Sequence, residues 1–179
     1  MILLISTCKY KLHELEFAKP IEDLLKQNNL DYHLIHYSKL TSKSINQLDK
    51  IIICGTSLKD NTFLEDIKKF SWIKEYKRPI LGICAGMQII SLIYNAKLKS
   101  KKEIGFYKES FNKEFLSLNG EQEVYHLHNN YTTLPKEFIQ FNKGKIPQAI
   151  KHKTKEIYGV LFHPEVRNKK IISTFIKDN

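Results

Sequence analysis

Short apolar runs alternate with amphipathic stretches along the first half of the chain. Residues 1–6 are apolar up to Ser6 and read as a buried strand. Residues 15–27 place Leu15, Ala18, Ile21, Leu24 and Leu25 at helical spacing, and Asn28-Asn29 ends that helix. Residues 32–37 and 50–54 predict two more strands, the second β-branched and stopped by Gly55. Residues 61–76 carry Phe63, Leu64, Ile67, Phe70 and Ile73 at helical spacing, residues 79–83 form a fourth strand, and residues 85–94 stay apolar at helix length. The order β-α-β-β-α-β-α predicts an α/β domain whose mostly parallel sheet has helices on both faces.

From Ile104 onward the pattern changes to short strands: residues 104–107, 114–118, 124–127, 138–141, 148–152 and 157–162. Asn119-Gly120 between two of them is a hairpin-turn signal. Residues 167–177 form a closing helix that buries Ile171, Ile172, Phe175 and Ile176. The second half therefore predicts a small antiparallel annex to the sheet. No repeat or linker interrupts the 179 residues, a length that fits one domain.

Composition narrows the function classes. Twenty-nine basic against 19 acidic residues give a net charge of +10, but only Arg78 and Arg167 are arginines. Scattered lysines make a solvated surface, whereas base and phosphate recognition favours arginine, so the charge does not point to nucleic acid. The apolar runs are too short to span a bilayer, and the N-terminus lacks the basic start and long apolar core of a signal peptide. Cys8, Cys54 and Cys84 are odd in number and widely spaced, which suits neither a disulfide framework nor a zinc site and fits a reducing cytosol.

Two motifs carry chemistry. Gly82-Ile83-Cys84-Ala85-Gly86-Met87-Gln88 follows a strand and opens a helix, so Cys84 stands at a sharp turn between small residues. A nucleophile elbow of this kind lifts the reactive atom above the sheet edge, and a helix N-terminus favours thiolate. A buried structural cysteine has the same local pattern. The second motif is Tyr158-Gly159-Val160-Leu161-Phe162-His163-Pro164-Glu165-Val166. Here a histidine ends an apolar strand and a carboxylate follows two residues later. Such a carboxylate can orient the imidazole, and the imidazole can serve a thiol.

Together these motifs resemble the two signatures of the class I (triad) glutamine amidotransferases, and the order of elements is similar over essentially all of residues 1–179. The resemblance implies a flavodoxin-like or Rossmann-like fold in one amidotransferase domain, with no fused synthetase. It implies a triad of Cys84, His163 and Glu165, glutamine hydrolysis to glutamate, and ammonia passed to a separate synthetase. Residues 51–57 resemble the strand and glycine turn that complete the oxyanion hole, implying backbone donors at Thr56 (or Gly55) and Ala85. Residues 124–135 resemble the segment that holds the substrate, which brings in His128, Asn129 and Asn130, with Gln88 one turn into the elbow helix.

The family turn is usually Gly-Gly-Pro, and here it is Gly55-Thr56-Ser57. A positive φ at the second position would strain Thr56, leaving the hole unformed until a partner binds. Residues 149–160 are most similar to the stand-alone amidotransferase subunit of GMP synthase, the partner then being its ATP-pyrophosphatase subunit. Residues 6–10 do not match that branch's Asp-Asn-Gly-Gly-Gln. His126 and His128 alternate along one strand, but no third ligand stands in register, so no metal is expected and no cofactor is implied. His13, His33, His36 and His152 read as surface or packing residues. The expectation is a cytoplasmic glutaminase subunit that contacts neither nucleic acid nor membrane. A free-standing hydrolase of other γ-glutamyl compounds and a non-catalytic module are the rival readings.

Overall fold

The computed structural model describes residues 1–41, 45 and 48–177. Strands β1 (Ile2–Ser6), β2 (Tyr32–His36), β3 (Lys50–Ile53) and β4 (Ile80–Ile83) arise from the four apolar runs of the first half. With β7 (Phe138–Gln140), β8 (Ala149–His152) and β9 (Ile157–Val160) they form one sheet in the order β2-β1-β3-β4-β9-β8-β7. The first five strands in that order run parallel, and β8 and β7 pair antiparallel at the edge. This is the expected mostly parallel α/β sheet.

The two-residue period of the strands divides the core. Leu4, Ile52 and Leu81 face one side, where they meet Ile21 and Leu25 of helix α2 (Lys19–Gln27) and Ile171, Ile172 and Phe175 of α5 (Lys170–Lys177). Leu3, Ile51, Ile53 and Ile80 face the other, against Phe63 of α3 (Thr62–Glu65), Phe70, Ile73, and Met87, Ile89 and Ile90 of α4 (Ala85–Ile93). Helices on both faces explain why the central strands β1, β3 and β4 are mostly apolar, whereas the edge strand β2 carries His33 and His36 and is only half-buried.

Three local expectations change. The helix expected over 15–27 breaks at Ala18 into α1 (Glu14–Phe17) and α2, where Pro20 occupies the first turn. The helix expected over 61–76 becomes α3 and then a 3₁₀ helix over Ile67–Lys74. Ile67, Phe70 and Ile73 stand three apart, and a three-residue turn aligns them on the core. The three strands expected between 104 and 127 merge into one long hairpin, β5 (Leu98–Phe115) and β6 (Leu118–Thr132). Its turn is Leu116-Ser117, both at positive φ, and not Asn119-Gly120. Gly120, at φ 65°, instead faces Phe111 beside a register shift in β5. Burying Phe111, Phe115 and Leu118 against the sheet sets this register, so the glycine serves the bulge.

Candidate active site

Three neighbouring strand ends converge on one point. In register, Ile53 pairs with Gly82 and Ile83 with Val160, so β3, β4 and β9 deliver Gly55, Cys84 and His163 to the same edge of the sheet. The backbone N–H of Cys84 donates to Val160 O at 2.8 Å, locking the elbow to β9. Cys84 itself has φ 48° and ψ −101°, a conformation that costs free energy and is held by its surroundings. Gly82 and Gly86 make the elbow possible: a methyl on Gly82 would lie 2.6 Å from Gly86 O, and one on Gly86 would collide with Ile53 O. The short elbow motif is therefore a packing requirement of strand, turn and helix.

His163 and Glu165 are buried, and Nδ1 of the imidazole lies 2.7 Å from Oε1 of the carboxylate. Burial disfavours an imidazolium, yet the Glu165 carboxylate and the Cys84 sulfur outweigh it and raise His163 well above its usual value. The ring packs on Phe17, and the backbone N–H of His163 donates to Tyr125 O of β6 at 2.8 Å. A methyl on Gly55 would stand 2.7 Å from Cε1 of His163 and 3.4 Å from Cβ of Cys84, so the glycine leaves the space both side chains use.

A narrow, open pocket lies in front of Cys84, lined by Thr56, Ala85, Gln88, His128, Asn129 and Asn130 among others. The expected oxyanion and substrate residues are thus gathered around one cavity. Its far wall is strapped to the facing loop and to the elbow helix: Asn129 Nδ2 donates to Leu58 O at 2.9 Å, and Gln88 Nε2 of α4 to Asn130 O at 2.9 Å. Thr56 is not among the residues at positive φ, so the strain expected at this turn is absent. Its Oγ1 instead donates to Asp60 Oδ2 at 2.8 Å, and the buried Asp60 also accepts the Lys9 N–H. Thr7 Oγ1 donates to the carbonyls of Cys54 and Gly55 at 3.1 and 3.2 Å. Thr7 and Asp60 were not legible from the motifs, because both act from outside the matching segments.

The expectation that the His-x-His pair has no third ligand in register is overturned. Glu103 of β5 pairs directly with His128, and Glu103, His126 and His128 form a buried cluster. Burial brings His126 down to about 4 and lowers His128, so both rings are neutral at pH 7. The other histidines are surface or packing groups as expected: His36 bonds Ser38, and His152 accepts the N–H groups of Thr154 and Lys155.

A sequence-family model for class-I glutamine amidotransferases matches residues 13–179. The chain belongs to this family of glutamine-hydrolysing enzymes. GMP synthase of Clostridium tetani is 29% identical over 174 residues, covering 90% of this amidotransferase chain and 34% of that protein. The glutamine-hydrolysing GMP synthase subunit of Methanosarcina barkeri is 32% identical over 120 residues, 60% of this chain and 64% of that one. The crystal structure of a candidate GMP synthase subunit from Thermoplasma acidophilum matches with a TM-score of 0.84 at 25% identity, covering 98% of this chain and 92% of that one. Against the longer GMP synthases the amidotransferase spans about a quarter to a third of the relative's length. Among the described residues no helix is long and apolar enough to cross a membrane.

Proposed function

We propose that this chain hydrolyses glutamine through Cys84, His163 and Glu165 and passes ammonia to a separate synthetase, such as the ATP-pyrophosphatase subunit of a GMP synthase. The observation that carries the reading is the buried His163–Glu165 pair, 2.7 Å apart, beside a cysteine at a positive-φ elbow on the neighbouring strand. His163 takes the Cys84 proton, and the thiolate attacks the carboxamide carbon. The N–H groups of Thr56 and Ala85 hold the resulting oxyanion. Ala85 opens α4, where the first N–H groups have no partner within the helix. In a trans peptide the N–H points opposite the C=O, so Thr7, by holding Gly55 O, aims the Thr56 N–H away from itself. His163 then protonates the departing ammonia. Water, giving its proton to His163, cleaves the γ-glutamyl thioester and restores the thiol. Glu165 orients the imidazole throughout. Three free, buried cysteines fit a reducing cytoplasm.

The test is covalent capture. A chloroketone or diazo-ketone analogue of glutamine should label Cys84 and spare the other two cysteines. Cys54 is fully buried and its thiol is pushed well above the usual range by burial, which also brings Cys8 to about 11. Cys84→Ala should abolish labelling and lower glutaminase turnover by at least about 10⁴-fold. Peptide mapping that finds Cys8 or Cys54 labelled and Cys84 untouched would reject the assignment. Full activity in the isolated chain, unchanged by an added synthetase, would favour a free-standing hydrolase.

A further inference from the structure

We propose that Glu103, His126 and His128 form a binding site for a divalent first-row transition ion of the zinc class, which clamps the β5–β6 hairpin behind the substrate pocket. Three atoms define it. His126 Nδ1 and His128 Nε2 lie 3.3 and 3.1 Å from Glu103 Oε2, and 3.2 Å from each other. Tetrahedral zinc with bonds of about 2.0–2.1 Å spaces its ligand atoms about 3.3 Å apart. Two imidazoles and one carboxylate are a common set of three protein ligands, leaving a fourth position for water.

Hydrogen bonding accounts for only part of this triangle: one ring nitrogen can donate to the other at 3.2 Å, or both to the carboxylate. The carboxylate oxygen is acceptor-only, and each imidazole nitrogen is either a donor or an acceptor. If both nitrogens carry protons, two N–H groups face one another at 3.2 Å. If one is bare, its lone pair faces either the carboxylate oxygen or the other lone pair. Every assignment leaves at least one mismatched edge. Gln148 Nε2 also donates to the same Oε2 at 3.1 Å. With the proton of each neutral ring on the nitrogen that faces the triangle, that oxygen receives three donors on two lone pairs, whereas a cation in the triangle plus Gln148 uses two. A cation turns all three ring and carboxylate atoms into ligands with lone pairs pointing inward.

The surroundings suit that role. All three residues are buried, at 8%, 0% and 2% exposure for Glu103, His126 and His128. Lys101 Nζ holds the other oxygen, Oε1, at 2.7 Å, which fixes the carboxylate and leaves Oε2 for the triangle. Glu109 Oε1 lies 3.7 Å from the remaining nitrogen of His126, beyond hydrogen-bond distance but near enough to close on it when an ion fixes the ring. The clamp would fix β6 where Tyr125 O receives the backbone N–H of His163 and Leu127 O lies 3.7 Å from Cys84 Sγ.

The test is metal binding, independent of glutaminase activity. Cys84→Ala removes the competing thiolate of the catalytic centre. Metal-free Cys84→Ala protein, titrated with Zn²⁺ against a chromophoric chelator, should bind one ion per chain, and Zn²⁺ should raise its melting temperature. Adding Glu103→Gln and His126→Gln should weaken binding by roughly 100-fold or more, on the scale of losses at metal-site supporting residues. Circular dichroism checks folding, and the near-isosteric Glu103→Gln alone serves if the double change unfolds. Co²⁺ bound to the unsubstituted chain should give nitrogen–oxygen ligand-field bands without thiolate charge transfer. No binding to the Cys84→Ala chain, equal binding with and without the two substitutions, or a Co²⁺ spectrum dominated by thiolate would overturn the proposal.

Discussion

The strand ends that carry Cys84 and His163 and the hairpin that walls their pocket are built on different terms. The central parallel strands β1, β3, β4 and β9 are buried on both faces, and small shifts there meet tightly packed atoms: Gly55, Gly82 and Gly86 each leave less than one methyl of free space. The hairpin is held by fewer apolar anchors, chiefly Phe111, Phe115, Leu118 and Val124, while Ile104, Phe106 and Tyr107 are exposed. It reaches the site through polar straps from Asn129 and Asn130 and through the Glu103–His126–His128 cluster. On the proposed function, the rigid region holds the reacting groups and the more exposed one the recognition wall. That division lets a wall adjust to substrate or partner without moving the nucleophile.

Substitutions in the rigid region are expected to act on turnover. The largest expected effect after loss of the nucleophile is Glu165→Gln, which keeps the shape and removes the charge. It should lower kcat by roughly 10²–10⁴-fold, since the carboxylate orients the imidazole without itself exchanging the proton. Burial pulls His163 down while Glu165 and Cys84 hold it up, so removing one support lets the imidazole lose its proton at lower pH. The alkaline limb of the kcat/KM profile should shift toward lower pH accordingly. A limb that stays in place would mean that the Glu165 charge is not felt at His163.

Gly55→Ala asks how rigid that region is. The new methyl would press on Cε1 of His163 at 2.7 Å, and the position has no positive φ that would add backbone strain. Displacing the imidazole by even a fraction of its contact distance should cost about 10² in kcat, with little change in KM. Steady-state kinetics on glutamine read both. Near-normal turnover would show that the histidine can yield, and the contrast between the two regions would lose its basis.

The same contrast explains what was legible in the sequence. Buried parallel strands are short apolar runs bounded by turns, so β1, β3, β4 and the elbow stand out locally, and each residue of the proposed triad sits inside a motif. The hairpin has no comparable signal. Most of β5 is exposed, with Glu103, Phe111 and Phe115 its only buried residues, so its pairing follows from distant contacts of Phe111 and Phe115. A turn at Asn119-Gly120 would have set His128 opposite Phe111, and a phenylalanine offers no ligand. The observed register sets it opposite Glu103, and the polar cluster appears only then. Thr7 and Asp60 were hidden for a related reason: Thr7 reaches the Gly55–Thr56 turn from the end of β1, and Asp60 holds it from just beyond the matching segment, each through its side chain.

The smallest expected effect lies at the border between the two regions, on the loop that faces the hairpin across the pocket. A threonine in place of the family's second glycine suggests a strained turn, and Thr56→Gly would then release strain and raise the rate. The backbone argues for the opposite sign. Thr56 is outside the positive-φ region, and its hydroxyl anchors the loop to Asp60. Burial opposes the Asp60 charge, yet the bonds from Thr62, Lys9 and Thr56 prevail and lower its carboxyl, so the anchor is a charge-assisted one. Removing the hydroxyl forfeits about 1 kcal/mol of hydrogen bonding, and glycine adds backbone freedom to a loop proposed to present an oxyanion donor. Thr56→Gly should therefore lower kcat by a factor of roughly 2–10 and leave KM nearly unchanged, because the donor acts on the transition state and not on bound glutamine. Thr56→Ser, which keeps the hydroxyl, should restore most of the loss. A rise in kcat for the glycine variant would return the strain to this turn, and would move Thr56 from the anchored side of the comparison to the adjustable one.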